Sequence, residues 1–162
     1  MSAITVRRAD YAQAADAAAV VMLLDAYASD PAGGGEPLSD FAKARLVPSL
    51  AARPTAFSIL AFDGEQPVGL VNCIEGFSTF ACQPLVNVHD VAVLVSHRGR
   101  RIGELMLALA EQIARERGAC KLTLEVLSGN QGARKLYERI GFADYQLDPA
   151  MGHACFMQKW LE

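Results

Sequence analysis

The chain has 162 residues, 52% of them hydrophobic, which fits one compact domain over residues 1–162. A formal net charge of -3 provides no broad cationic surface, which argues against a nucleic-acid partner. The longest apolar-leaning stretch, Ala12–Ala28, carries Asp16 and Asp25, so a membrane-spanning segment is not expected. The first residues lack the pattern of a secretory signal, so we expect a cytoplasmic protein.

The cysteines are spread along the chain without a Cys-x-x-Cys pair and without a histidine in register. This spacing suggests neither a zinc site nor a disulfide framework, so we expect buried free thiols and no bound metal. No neighbouring base is evident, which argues against a cysteine nucleophile. The residues concerned are Cys73, Cys82, Cys120 and Cys155.

The first third of the chain predicts a short strand and then helices. Apolar and polar residues alternate over residues 4–8, which is typical of an edge strand, and Tyr11–Ala28 has helical spacing. Ser39 is a suitable N-cap for a helix over Asp40–Leu46. Pro48 is expected to start a separate turn, which gives two short helices.

The middle of the chain predicts a hairpin and a buried strand. Phe57–Phe62 and Val68–Ile74 are β-rich runs joined by an Asp-Gly turn, a pattern typical of an antiparallel hairpin. Leu85–Val95 is a run of branched apolar residues that predicts a central strand buried on both faces. Its polar residues, His89 and Asp90, should point to opposite faces.

The last third predicts two helices, each followed by strand. Ile102 begins a helix that ends at Gly118, a strand covers Lys121–Leu127, and Asn130–Ile140 forms a second helix. Two final strands are expected at Phe142–Tyr145 and Ala154–Trp160. This order of elements predicts an α/β fold, or α+β by some schemes, with a mixed central sheet covered by helices on both faces.

A turn rich in glycine and arginine links the predicted central strand to the helix that follows. Backbone N–H groups at a helix N-terminus bind anions, the arginines add positive charge, and the glycines let the main chain approach phosphate oxygens. The turn therefore predicts a pyrophosphate site, the alternative being a basic turn that only solubilises a loop. The residues expected to contribute are Arg98, Gly99, Arg100, Arg101, Ile102 and Gly103.

A second motif lies one predicted strand downstream, where residues 130–142 read Asn-Gln-Gly-Ala-Arg-Lys-Leu-Tyr-Glu-Arg-Ile-Gly-Phe. With the turn, this segment makes Val86–Tyr145 similar to the GCN5-related N-acetyltransferase (GNAT) superfamily. That family pairs an Arg/Gln-x-x-Gly-x-Gly/Ala turn with an Asn-x-x-Ala-x-x-x-Tyr-x-x-x-Gly-Phe helix. Arg101 stands where the turn has its first glycine, and a side chain there is compatible with the turn if its φ is negative.

The resemblance implies a splayed sheet and acetyl-CoA as the cosubstrate. It implies that the pantetheine arm pairs with the central strand near Val91, Val93 and Val95, while the turn holds the pyrophosphate. On the later helix it implies cofactor contacts from Asn130, Ala133 and Tyr137. The Tyr137 hydroxyl is then the proton donor to the departing thiolate, and Asn130 is also expected to cap its helix.

Direct attack requires a neutral amine, and an alkyl ammonium loses its proton only near pH 10.4, so the reaction needs a proton acceptor. Candidates are His89, Asp90, Glu75 and a chain of water molecules. His89 is favoured because the family often has a base or a water-organising group at this level of the strand. A hydrogen-bonded core histidine remains the alternative, and Asp90 could instead cap a loop or bind the acceptor amine.

The implied reaction is acetyl transfer to a primary amine through a tetrahedral intermediate. The expected acceptor is a small molecule such as an amino acid, a diamine or a polyamine-like compound. The alternatives are a protein or peptide acetyltransferase and a catalytically silent acyl-CoA-binding module. The resemblance also implies a homodimer through the C-terminal strand, with apolar surface from Phe156, Met157 and Trp160.

Overall fold

A computed structural model describes residues 3–161 of the chain. The chain divides into two compact units, Met1–Leu124 and Glu125–Glu162. The first unit contains the sheet and the larger helices, and the second contains one α-helix among its described residues. Within residues 3–161, no helix combines the length and the apolar character needed to cross a bilayer.

The first unit is built on a five-stranded sheet in the order β1-β2-β3-β4-β5. Neighbouring strands are antiparallel except β4 and β5, which are parallel. The predicted mixed sheet is therefore confirmed. In chain order the elements are β1 (Ile4–Arg8), α1 (Ala14–Ser29), α2 (Asp40–Ala51), β2 (Ala56–Asp63), β3 (Gln66–Ser78), β4 (Gln83–Val93), α3 (Ile102–Glu116) and β5 (Leu122–Leu124).

Helices cover both faces of this sheet, as predicted. On one side, Leu60, Leu70 and Ala92 of β2, β3 and β4 pack in a core cluster with residues of α1 and α2. This side is called the α1 face below. On the other side, the α3 face, Gly69 of β3 faces Met106 of α3, whose Cε lies 2.9 Å from the position that a Cβ on this glycine would take.

Helix α2 differs from the prediction, because Asp40–Ala51 is one helix with Pro48 inside it. Ser39 caps it as expected by accepting a hydrogen bond from the Ala42 N–H at 3.1 Å. Pro48 lies in the last turn of the helix, where the missing N–H removes only one hydrogen bond and few residues follow. The prediction of two short helices is wrong.

The second unit contains α4 (Gln131–Arg139) and a short 3₁₀ turn at Pro149–Met151. The predicted helix is thus confirmed. The strands predicted at Phe142–Tyr145 and Ala154–Trp160 are wrong, since these residues form neither strand nor helix. A strand needs a partner for its backbone groups, and apolar patterning alone does not supply one.

Candidate active site

Strand β4 contains a β-bulge at the two polar residues singled out from the sequence. Asp90 is paired with Asn72 of β3, whereas Val88 is paired with the next β3 residue, Cys73. His89 is therefore an extra residue with no β3 partner in the register. An extra residue of this kind shifts the alternation of side chains along the strand by one position.

The bulge brings His89 and Asp90 to the same side of the sheet. Asp90 Oδ2 accepts a hydrogen bond from Asn72 Nδ2 at 3.0 Å, and Asn72 is in register between Ser58 and Asp90 on the α1 face. His89 Nδ1 lies 3.4 Å from Oδ1 of Asn87, two residues earlier on the same face. The prediction that the two residues point to opposite faces is wrong, because it assumed an unbroken period of two.

Four side chains form a continuous line of hydrogen bonds across the α1 face, here called the polar chain: Tyr11, Ser58, Asn72 and Asp90. Tyr11 Oη lies 2.7 Å from Ser58 Oγ, and Ser58 Oγ lies 2.5 Å from Asn72 Oδ1. Ser58 is 0% exposed and Asn72 is 4% exposed. Burial is the main cause of a raised pKa for the Tyr11 phenol, which favours its protonated form.

Glu75, the other candidate base, lies on the opposite face. It is in register with Val86 on β3 and β4, and Oε2 accepts from Nη1 of Arg117 at 2.9 Å. The Arg117 guanidinium also lies 4.8 Å from the centre of the Phe57 ring. Glu75 therefore faces away from His89 and Asp90 and has an ion-pair partner.

The backbone of β4 is open beyond the bulge, on the side away from β3. Pairing with β5 ends at Val88 and Leu124. The Leu94 N–H donates to Val68 O on β3 at 2.9 Å, and backbone direction alternates, so the N–H and C=O groups of Val91 and Val93 point away from β3. This is the splayed edge that the family resemblance implied.

The strand ends earlier than the sequence predicted. Gln83–Val93 forms β4, and Val95 begins a 3₁₀ turn that runs to His97. Val95 is 72% exposed, so its prediction as a strand residue is wrong. The side chain of Arg98 explains part of the change, since its Nε donates to the Val93 carbonyl at 3.1 Å and ends the strand with a side-chain bond.

The turn into α3 has two residues in the left-handed region. Gly99 has a φ of 79°, and Arg101 has φ 59° and ψ 19° at the N-cap. The expectation of a negative φ at Arg101 is wrong, because the turn keeps the geometry that a glycine would adopt more easily. Arg101 makes no side-chain capping bond, so the N–H groups of the first helical turn have no side-chain cap from it.

The arginines of the turn differ in their partners. Arg98 Nη2 lies 2.8 Å from Asp30 Oδ2, and Arg100 Nη1 lies 2.7 Å from Asp63 Oδ2. Hydrogen bonding from Arg98 lowers the pKa of Asp30. Arg101 makes no ion pair with any residue from 3 to 161, so its charge is not offset by a partner there.

The remaining turn residues can face an anion only through their backbone. Ile102 is 1% exposed and belongs to the hydrophobic core, and Gly103 is buried in the first turn of α3. Their N–H groups belong to the helix N-terminus, which carries partial positive charge. This combination suits a phosphate approached by the main chain.

The second unit arranges its motif residues on one helix. Asn130 caps α4 by accepting a hydrogen bond from the Ala133 N–H at 3.2 Å, which confirms the predicted cap. Tyr137 is 9% exposed, and its ring meets Phe142 edge to face with 5.9 Å between centroids. The Tyr137 carbonyl also accepts from the Phe142 N–H at 2.9 Å, so the two ends of the motif are fixed to each other.

Cysteine chemistry is not supported at the buried position. Burial raises the pKa of the Cys73 thiol to about 12, which keeps it protonated at neutral pH. All four cysteines are free thiols, and the other three are exposed. The expectation of buried free thiols holds for Cys73 and is wrong for the other three, which lie at the surface.

Sequence reasoning missed Tyr11, Ser58 and Asn72. Ser58 and Asn72 each interrupt an apolar run that becomes a strand, and this was the available signal. Their register, which places Ser58 beside Asn72 and Asn72 beside Asp90, could be read only after the strands were paired. A polar residue within a buried strand therefore warrants the same attention as one within a motif.

Comparison with known proteins identifies the family of the chain. The model of the Acetyltransferase (GNAT) family matches residues 21–142. The chain belongs to this family.

Among characterised relatives, streptothricin acetyltransferase of Streptomyces lavendulae is 38% identical over 87 residues. The match covers 52% of this chain and 46% of that protein, so the chain spans less than half of its length.

Solved structures share the whole fold at low sequence identity. A transcriptional regulator from Bacillus halodurans C-125 has a TM-score of 0.79 at 21% identity, covering 98% of this chain and 100% of that one. An aminoglycoside acetyltransferase from an uncultured soil metagenomic sample, in complex with trehalose, has a TM-score of 0.77 at 16% identity, covering 96% and 97%. These likenesses show the fold.

Proposed function

We propose that the protein transfers the acetyl group of acetyl-CoA to a primary amine of a small molecule by direct attack. The observation that carries this proposal is the edge of β4 at Val91 and Val93, which has no strand partner among residues 3–161 on the side away from β3 and leads into the turn at Arg98–Gly103. The Val93 carbonyl on this edge accepts a hydrogen bond from Arg98 Nε, which the cofactor would replace. A ligand with an extended amide-containing arm and a pyrophosphate would meet strand-like hydrogen bonds first and helix N–H groups next. Acetyl-CoA has both parts.

Each part of the cofactor then has a proposed partner. The pantetheine arm pairs with the backbone of Val91 and Val93, and Val95 is left out because β4 ends before it. The pyrophosphate takes the N–H groups of the turn and the first turn of α3, with Arg101 as a side-chain contact. On α4, Asn130 and Ala133 are proposed as further cofactor contacts beside Tyr137.

The reaction needs three proton movements. The amine must be neutral before its nitrogen lone pair attacks the carbonyl carbon of the thioester, and His89 is proposed to accept its proton. The tetrahedral intermediate then collapses as the C–S bond breaks, and Tyr137 donates a proton to the thiolate, which leaves as the free thiol of CoA. The nitrogen loses its remaining extra proton to the Tyr137 oxygen or to solvent, which leaves the neutral amide on the acceptor.

A small cationic amine is the acceptor class we propose. Streptothricin acetyltransferase, which is similar in sequence, is named for a small molecule, and this supports the proposed class. The carboxylate of Asp90 beside His89 also suits a cationic acceptor. A lysine peptide remains the comparison that tests the alternative of a protein acetyltransferase.

We further propose that both compact units belong to one transferase domain, since the family model crosses the boundary after Leu124. A homodimer is proposed from the C-terminal segment, where Phe156, Met157 and Trp160 are exposed by 78%, 86% and 85%. Light scattering of the full chain tests the dimer. A monomer at all concentrations would remove this part of the proposal.

Thiol release from acetyl-CoA tests the reaction, with 1,4-diaminobutane, streptothricin, aniline, lysine and a lysine peptide as acceptors. We expect amine-dependent release and a fall in kcat of about a hundredfold in Tyr137→Phe, as for loss of a general acid. Tyr145→Phe is the matched control, since it removes a hydroxyl outside the motif and should keep wild-type kcat.

Two results would count against the proposal. No thiol release with any acceptor despite tight binding of CoA favours a silent acyl-CoA-binding module. Wild-type kcat in Tyr137→Phe removes the acid role of that hydroxyl while leaving the transferase itself intact.

A further inference from the structure

We propose that the polar chain holds the Asp90 carboxylate in place to bind the amine nitrogen of the acceptor, so that Ser58 and Asn72 are positioning residues. This inference rests on the proposed function and names the group that recognises its substrate class. It concerns residues that lie within strands β2 and β3, outside both sequence motifs.

The chemistry of the groups fixes the direction of each hydrogen bond. A carboxylate only accepts, so Asn72 must turn its Nδ2 to Asp90 and its Oδ1 to Ser58. Ser58 has one hydroxyl proton and donates it to Asn72, so Tyr11 must donate to Ser58. Every donor in the chain therefore points towards Asp90.

The buried members of the chain have little reason to be polar for packing alone. Ser58 and Asn72 lie beside Leu60 and Leu70 on the α1 face, and both of these apolar side chains are fully buried. Replacing a buried polar network with apolar side chains is often neutral or stabilising, so such a network is weak evidence for a stability role. A network that fixes one group at its end is consistent with a role in positioning that group.

That end is open to a ligand. Oδ2 of Asp90 accepts the hydrogen bond from Asn72, and no residue from 3 to 161 donates a hydrogen bond to Oδ1. No buried side-chain nitrogen or oxygen among the described residues lacks a partner, so Oδ1 is accessible to solvent. An amine N–H can therefore reach an oxygen whose orientation is already set.

The surroundings favour a cation. Tyr27 of α1 packs on the α1 face, and burial, followed by the negative charges of Asp90 and Asp30, raises the pKa of its phenol. The Asp90 carboxylate therefore lies near a neutral phenol, and the adjoining His89 is exposed. An ammonium group gains from such a carboxylate.

Steady-state kinetics of the full chain test the positioning role. Asn72→Leu removes the donor to Asp90, and Ser58→Ala is the smaller change that keeps the test valid if Asn72→Leu folds poorly. For 1,4-diaminobutane and streptothricin we expect KM to rise about tenfold in Asn72→Leu, with a smaller rise in Ser58→Ala, as for loss of a hydrogen bond to a charged group. The KM for acetyl-CoA should change less than about twofold, because the chain does not touch the turn.

Cys73→Ala is the matched control, because it removes a buried side chain next to Asn72 on the α3 face. A rise in amine KM no larger than in Cys73→Ala overturns the inference. So does equal loss of affinity for amine and acetyl-CoA, which indicates general damage to the sheet. Turnover of aniline alone, without binding of either ammonium probe by calorimetry, also overturns it but leaves the acetyltransferase proposal standing.

Discussion

Polar residues on the two faces of strands β3 and β4 differ in whether their hydrogen-bonding groups all have partners within the protein. On the α3 face, Glu75 is paired with Arg117, and its charge is offset within the protein. On the α1 face, the polar chain ends at Asp90, whose second carboxylate oxygen accepts nothing from the described residues. A polar residue in a strand therefore indicates a functional site when one of its hydrogen-bonding atoms has no protein partner and faces solvent.

The largest effect is expected from substitution of Asp90, whose second carboxylate oxygen has no partner among the described residues. Asp90→Asn should lower kcat/KM for 1,4-diaminobutane by about a hundredfold, because the amide cannot supply the charge that an ammonium requires. Glu75→Gln on the other face should stay within about twofold of wild type in the same assay. Equal losses in the two variants would mean that the faces do not differ in function.

Part of this contrast follows from the sequence and part does not. Hydrophobic spacing, the glycine turn and the Asn130 cap are local features, so they were predictable. The shared face of His89 and Asp90 depends on a bulge, which is set by how β3 and β4 pair. Likewise, the positive φ of Arg101 follows from the geometry of the turn and contradicts the preference of its own side chain.

Asp16 of α1 is a second charged residue whose carboxylate has its hydrogen-bond partners within the protein. Asp16 of α1 is 2% exposed and accepts two hydrogen bonds of 2.6 Å from Arg7, with a third from the Asp10 N–H at 2.8 Å. Asp16→Asn should lower the free energy of unfolding by about 2 kcal/mol, as for loss of hydrogen bonds to a charged group. Urea titration measures this, and the amine KM should not move.

The ion pair of Arg7 and Asp16 predicts how the stability of the wild-type protein depends on pH. The hydrogen bond from Arg7 is the main reason why the pKa of Asp16 lies below its ordinary value of 3.8. A carboxylate whose pKa is lowered by folding contributes stability above pH 3.8, and this contribution is lost as the pH falls through the lowered pKa. Asp16→Asn should therefore lose less stability than wild type below pH 3.8, and parallel curves would contradict this role.

The smallest effect is expected in the turn. Arg101 has no ion-pair partner among residues 3–161, whereas Arg100 forms an ion pair with Asp63. In Arg101→Gly, a glycine takes the left-handed backbone conformation that is strained for arginine. The free energy of unfolding should therefore rise by about 1 kcal/mol. It should also weaken binding of CoA by a few fold, as measured by calorimetry, because an unpaired cation is lost. Arg101→Ala is the control, since it loses the cation and keeps the backbone strain.

These outcomes separate the two contributions of Arg101. Gain of stability in Arg101→Gly but not in Arg101→Ala supports strain at this position. Unchanged CoA affinity in both variants would mean that the backbone alone binds the phosphates.

The central claim is that acetyl moves from acetyl-CoA to the nitrogen of an amine. Its most direct test is mass spectrometry of the products formed from acetyl-CoA with a ¹³C-labelled acetyl group and 1,4-diaminobutane or streptothricin. We expect labelled acetyl in an amide on the amine, in equal amount to the free CoA thiol. Thiol release at the same rate without amine, with the label recovered as acetate, would contradict it.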